Sequence, residues 1–314
     1  MISRRGLIPN LGLLGLAGAG ALVLRERVFP PAPRVVFAEG LTRTDWIDLP
    51  RRGGLLEVPA RVGGVPIRAV IDSGAQFSAI DRGLAERLAL PKATALPLLA
   101  FGVSGGPSLT HTVGLDLHMG QLRVGGVRAA VLEIGSLSAV TGRDFQLLVG
   151  RDVLRELVVL ADFPRRRVAL QAREAFAPDP AAFAVPLRLA GGAPMTTVQV
   201  EDAPALEVMI DTGATGVLAL SREAAQAAGL LDGRPRTQAR SVSLGGVSLD
   251  ALVTASQVRF AGRELADVQV QIYAPSVRGP IPQGLLGVGA LETFEMALDL
   301  RGGRLFLTPG ARGR

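Results

Sequence analysis

Apolar and polar residues alternate over residues 122–134 and again over 257–272, the two-residue period of half-buried strands. Shorter apolar runs at 55–62 and 197–201 read as strands that turn, at Gly63-Gly64 and Asp202-Ala203, into a second strand. Each second strand ends in an apolar stretch that stops at an aspartate, Asp72 or Asp211. A short strand follows in both places (77–80 and 217–220), then an N-cap, Asp81 or Ser221, and a brief helix. Gly229 is placed to end the second helix in a left-handed conformation. A Gly-containing hairpin comes next, at 101–106 and 243–246. The pattern predicts an all-β protein with short helices.

The elements recur because the chain repeats. Residues 150–170 align without gaps on 287–307, with Gly150/Gly287, Leu154/Leu291, Asp162/Asp299, Arg167/Arg304 and Leu170/Leu307 identical. The loops Asp72-Ser73-Gly74-Ala75 and Asp211-Thr212-Gly213-Ala214 keep nearly the same offset. The predicted organisation is therefore an N-terminal segment (1–38), a first lobe (39–171), a linker (172–182, with Pro178 and Pro180) and a second lobe (183–310). Two carboxylates brought together share one proton, and such a pair activates water for attack on an amide. Asp162 and Asp299 precede strand ends and read as turn residues.

Composition narrows the field. With 48% hydrophobic residues a large core can be buried, and the 39 glycines and 21 prolines suit short strands joined by tight turns. There is no cysteine, which excludes disulfides, thiol catalysis and cysteine metal sites. The net charge of +6 is carried by scattered arginines, Lys92 being the one lysine, and aromatics are only 4%. Nucleic-acid binding is not expected from that surface. His111 and His118 are too few for a zinc site, and no metal or cofactor is expected. Ser73 has no Gly-x-Ser-x-Gly context for a nucleophile.

The amino terminus opens Ser3-Arg4-Arg5-Gly6 and continues as an apolar stretch to Leu24. That layout fits a secretory signal of twin-arginine type, with cleavage at Ala17-Gly18-Ala19 or Val36-Phe37-Ala38, or an uncleaved inner-membrane anchor. Either form places the rest of the chain in the periplasm or outside the cell. Residues 30–50 are the candidate for a removable pro-segment.

At its Asp loops, Gly-rich segments and closing motifs the chain resembles the retropepsin and pepsin-like aspartic proteases, above all bacterial single-chain members built from two fused retropepsin-type halves. Leu148-Val149-Gly150-Arg151-Asp152 is similar to the closing motif of retroviral-type proteases, whereas Leu286-Gly287-Val288-Gly289 lacks the Arg-Asp pair. The resemblance implies a bilobed acid protease fold, with Asp72 and Asp211 as the catalytic pair. It further implies that Ser73 and Thr212 lock the two loops through their hydroxyls. Gly74 and Gly213 allow the sharp turn and bring backbone N–H groups to the carboxylates. Gly105 and Gly106, with Gly245 and Gly246, are the candidate flap tips, although neither segment carries the flap tyrosine of pepsin-like enzymes. Gly150 and Gly287 read as packing residues beneath the loops. Ala75 and Ala214 lack the extra hydroxyl of pepsin-like loops, so the expected working pH is less acidic.

The expected function is an exported aspartic endopeptidase acting on a peptide or protein, as a monomer whose halves form an internal pseudo-dimer. The alternative is a non-catalytic peptide-binding module on the same fold.

Overall fold

A computed structural model describes residues 32–50, 54–93, 98–100, 108–135, 143–243, 246–273 and 282–310. The first half opens with two short strands, β1 (Arg34–Phe37) and β2 (Ile47–Asp48). The hairpin β3 (Glu57–Val62) and β4 (Val65–Ile71) follows, turning at Gly63 and Gly64, whose φ angles of +56° and +80° explain the paired glycines. Then come β5 (Ala79–Asp81) and helix α1 (Arg82–Arg87), capped as predicted by the Asp81 carboxylate on the Leu84 N–H. Strands β6 (Leu98–Ala100) and β7 (Ser108–Thr110) pair as a hairpin. β8 (Thr112–Met119) and β9 (Leu122–Leu132) form a second, before β10 (Leu147–Val149), helix α2 (Arg151–Leu154), β11 (Leu157–Asp162) and β12 (Arg167–Ala172).

The second half begins with β13 (Phe183–Pro186) and β14 (Arg188–Ala190), then repeats the plan. β15 (Ala193–Val200) and β16 (Leu206–Asp211) lead to β17 (Leu218–Ser221) and helix α3 (Arg222–Ala227), capped by the Ser221 hydroxyl and followed by Gly229 at φ +72°. β18 (Arg236–Ser243), β19 (Gly246–Phe260) and β20 (Arg263–Tyr273) form a meander, and β21 (Gly284–Gly287), β22 (Phe294–Asp299) and β23 (Arg304–Pro309) close the unit. The alternating run 257–272 is thus not one strand. It turns at Ala261 and Gly262, both at positive φ, a conformation that Ala rarely signals in a sequence. The closing helix of the second half is a single 3-10 turn, Val288–Ala290, where glycines flank Val288.

The two halves share one topology. Reading outward, the first sheet runs β9-β5-β10-β4-β3-β8 and the second β20-β17-β21-β16-β15-β19, each closing on itself through an extra pairing. The duplication and the bilobed all-β class therefore hold at the level of hydrogen-bond order. The closing hairpins do something the sequence did not indicate. β11–β12 of the first half and β22–β23 of the second join at β11–β22 into one six-stranded sheet, extended by β13 and β2. One apolar cluster runs through both barrels and this shared sheet.

The folded unit also reaches back before residue 39. β1 pairs with β9 and β2 with β12, so part of the segment assigned to a signal or anchor, and to a pro-segment, is an edge of the fold. Residues 1–31 of that segment lie outside the described residues. Trp46, next to β2, is held between Arg43 and Arg167, 5.5 and 4.5 Å from its ring centroid.

Candidate active site

The Asp loops are built by the closing strands. β10 inserts between β4 and β5, parallel to β4 with Val149 opposite Ile71, and the Asp72 N–H donates to the Val149 carbonyl at 3.0 Å. β21 does the same in the second half, placing Gly287 opposite Asp211. A Cβ on Gly150 would lie 2.5 Å from the Phe77 carbonyl carbon, and one on Gly287 would lie 2.3 Å from the Gly216 carbonyl oxygen. These glycines are packing positions, as read from the sequence.

Asp72 and Asp211 meet. A Cβ on Gly74 would sit 2.6 Å from the Asp211 carboxyl carbon, and a Cβ on Gly213 2.6 Å from that of Asp72. Each carboxyl therefore rests on the glycine of the opposite loop, a second reason for glycine there besides the turn. The Oδ1 of Asp72 accepts from the N–H groups of Gly74 and Ala75 at 2.9 and 3.0 Å, and the Oδ1 of Asp211 from Gly213 at 2.9 Å. The two Oδ2 atoms are buried and accept no N–H. The carboxyls are within hydrogen-bonding reach of each other, so a shared proton can satisfy both.

Ser73 and Thr212 interlock beneath the pair. The Ser73 hydroxyl donates to the Ile210 carbonyl at 2.8 Å and accepts from the Thr212 N–H at 3.0 Å. The Thr212 hydroxyl donates to the Ile71 carbonyl at 2.8 Å and accepts from the Ser73 N–H at 2.9 Å. All four bonds are buried and cross from one half to the other.

Burial pushes both carboxyls above the usual carboxylate range. At Asp72 the two backbone donors and nearby Arg151 oppose it; at Asp211 the charge of Asp72 adds to it. The pair is unequal in its donors: two backbone N–H groups reach Asp72 and one reaches Asp211.

Arg151 was not among the expected site residues. Its Nη1 donates to the carbonyls of Ser73 and Gly74 at 3.0 and 2.8 Å, so a guanidinium braces the first Asp loop. Val288 occupies the matching place in the second half: its N–H donates to Ala214 as that of Arg151 donates to Ala75. The missing Arg-Asp pair of the second closing motif was the sequence signal for this asymmetry. Asp152 takes the Ser78 N–H and hydroxyl at 2.8 and 2.9 Å, and burial pushes its carboxyl up to about 6. Tyr273, the single tyrosine, is buried with its hydroxyl donated to the Pro282 carbonyl, in a cluster with Met195, Met209 and Leu285.

Of the flap candidates, Gly105, Gly106 and Gly245 lie outside the described residues. Gly246 pairs with Ser243 at the closed end of the β18–β19 hairpin, and the β6–β7 hairpin flanks the first Gly-rich segment. Asp162 accepts from the Arg165 N–H and Asp299 from the Gly302 N–H, at 3.0 and 2.9 Å, which makes both turn residues. Among the described residues no group of His, Asp and Glu is arranged to hold a metal.

The aspartyl protease family profile matches the chain twice, over residues 58–153 and 196–290, one match for each Asp loop with its closing motif. The DNA damage-inducible protein 1 of Phaeosphaeria nodorum is 26% identical over 120 residues, 38% of this chain. The aligned part spans about a quarter of that relative's length (26%). Two topologically equal halves, each giving one aspartate to a locked pair and each matched separately, are those of a duplicated retropepsin-like chain that belongs to the aspartyl protease family.

Proposed function

We propose that the protein is an aspartic endopeptidase in which a water held between Asp72 and Asp211 attacks the scissile carbonyl. The observation that carries this reading is the mutual packing of two buried carboxyls whose Oδ2 atoms have no other partner. Two such groups cannot both ionise, so one proton stays on the pair. Asp72, with two N–H donors against one and Arg151 nearby, carries the charge, and Asp211 carries the proton. The Asp72 carboxylate takes a proton from water as the water oxygen bonds to the carbonyl carbon, and Asp211 gives its proton to the carbonyl oxygen. Asp72 then gives its proton to the amide nitrogen while Asp211 takes one from a hydroxyl of the tetrahedral intermediate, and the C–N bond breaks to leave a carboxylic acid, an amine and the pair as it began. An extended peptide would lie across the loops as an added strand under the Gly-rich hairpins.

Purified protein, Asp72→Asn and Asp211→Asn would be compared on a mixed peptide library from pH 3 to 7. Wild type is expected to cleave, with activity reaching toward neutral pH because both carboxyls are raised, and each variant to lose about 1,000-fold or more in kcat/KM. Undiminished cleavage by either variant would overturn the shared-pair mechanism. A folded wild type that cleaves nothing would leave a peptide-binding module.

We further propose an exported monomer. Export rests on Arg4-Arg5 and the apolar stretch behind them; the monomer rests on the internal pairing of β11 with β22. Failure of residues 1–38 to carry a folded reporter across the inner membrane would refute the first. A dimer mass in sedimentation would refute the second.

A further inference from the structure

Beside the first Asp loop, a cavity of about 450 Å³ opens between the two halves. Gln76 and Phe77, just past the loop, form one wall, and the β14–β15 turn at Gly191-Gly192 forms another. Four arginines are among its lining residues: Arg128 on β9, Arg151 and Arg155 on and after α2, and Arg301 in the β22–β23 turn. Their acidic counterweight is two residues, Glu156 and Asp152. Glu156 is shared between Arg301 at 2.7 Å and Arg155 at 3.3 Å. The Asp152 carboxyl, which burial raises to about 6, is still charged at neutral pH and is engaged by the Ser78 N–H and hydroxyl. Among the described residues, Arg128 has no ion pair, and the Arg151 guanidinium has carbonyl partners but no carboxylate within bonding distance.

We propose that this cavity is a binding site for a carboxylate, supplied by an acidic side chain or the free C-terminus of a peptide lying in the cleft. The planar guanidinium fork matches a carboxylate with two parallel hydrogen bonds, and Arg is the side chain suited to such recognition when partly dehydrated. Burial draws the Arg151 pKa down although Asp72, Asp211 and Asp152 oppose it, and an anion in the cavity would add to that compensation. Because the same guanidinium braces the Ser73 and Gly74 carbonyls, the bound carboxylate would sit one side chain away from the Asp loop. Selectivity would be one-sided, since Val288 replaces the arginine in the second half.

The proposal rests on the reading that a peptide occupies the cleft, yet its test needs no catalysis. Capped alanine- and serine-based octapeptides, with a single Glu walked through every position or Gln in its place, would be titrated into the full chain carrying Asp211→Asn. A second pair would compare a free C-terminal acid with its amide. At one position, Glu is expected to bind about tenfold tighter than Gln, the scale of one good charge-assisted pair. Arg128→Gln, and separately Arg301→Gln, should reduce that ratio below about threefold while Gln peptides bind as before. Preference for the free acid alone would assign the carboxylate to a C-terminus. The proposal fails if no acidic peptide outbinds its neutral twin, or if the preference survives both arginine variants with melting temperature unchanged. Acid-selective binding without cleavage by wild type would instead remove the endopeptidase reading and leave this site standing.

Discussion

The residues that would do chemistry here are also the ones that burden the fold. Asp72 and Asp211 are completely buried, and desolvation raises both above the usual carboxylate range. A carboxyl whose folded pKa is raised binds its proton more tightly folded than unfolded, so it costs no stability below the unfolded value near 4. The cost then grows as pH rises through the folded value. Asp211→Asn removes one such group and keeps an oxygen for the Gly213 N–H. It is expected to stabilise the protein at pH 7, where the buried charge of the pair costs most. The gain should vanish near pH 3. Urea unfolding at the two pH values checks this, and a variant less stable than wild type at pH 7 would count against a strained pair.

At the scale of elements, the parallel insertion of β10 and β21 beside the Asp strands sets where the loops sit, and glycine makes the insertion feasible. Gly150→Ala would place a methyl against the Phe77–Ser78 peptide, where the contact is backbone and cannot swing away. A loss of about 3 kcal/mol or more is expected, at the upper end for overpacking. Gly216→Ala is the control: nothing lies within 4 Å of its Cβ and its φ is not in the left-handed region, so a change within about 0.5 kcal/mol is expected. Equal destabilisation by both would mean that the loss at Gly150 does not come from this contact.

For the whole molecule, the halves are joined twice, by the shared six-stranded sheet below and by the Ser73–Thr212 interlock at the site. Ser73→Ala removes a donor to Ile210 and an acceptor for Thr212, leaving two buried backbone groups unpaired in the opposite half. At about 1–3 kcal/mol for each, the expected loss is about 2–6 kcal/mol, with activity falling as the loops drift apart. Thr212→Ser keeps the hydroxyl and should cost under about 1.5 kcal/mol. Unfolding curves with parallel peptide assays decide it. A fully stable Ser73→Ala protein would show that the sheet alone fixes the two halves.

Much of this was legible in the chain because it is local. The turn at Gly63-Gly64, the caps Asp81 and Ser221, the stop at Gly229 and both Asp loops follow from conformational limits within a few residues. The repeat then announced two equal halves. What the sequence could not give were the pairings between residues far apart. Residues 34–37 form an edge strand only because β9 has an open side, and β11 meets β22 only because the two halves face each other. The turn at Ala261-Gly262 is hidden in an alternating run, because a neighbouring strand holds Ala261 in a backbone state its own chemistry disfavours. Arg151 was visible as a letter missing from the second motif, but its placement against the Asp72 loop depends on packing. The sequence by itself determined two β units and an aspartate at the end of a strand in each, since strand period and turn chemistry are local. Only the tertiary structure decided that the two carboxyls touch, that one has two N–H donors and the other one, and that arginines gather beside the first loop, because proximity between distant residues belongs to the folded chain.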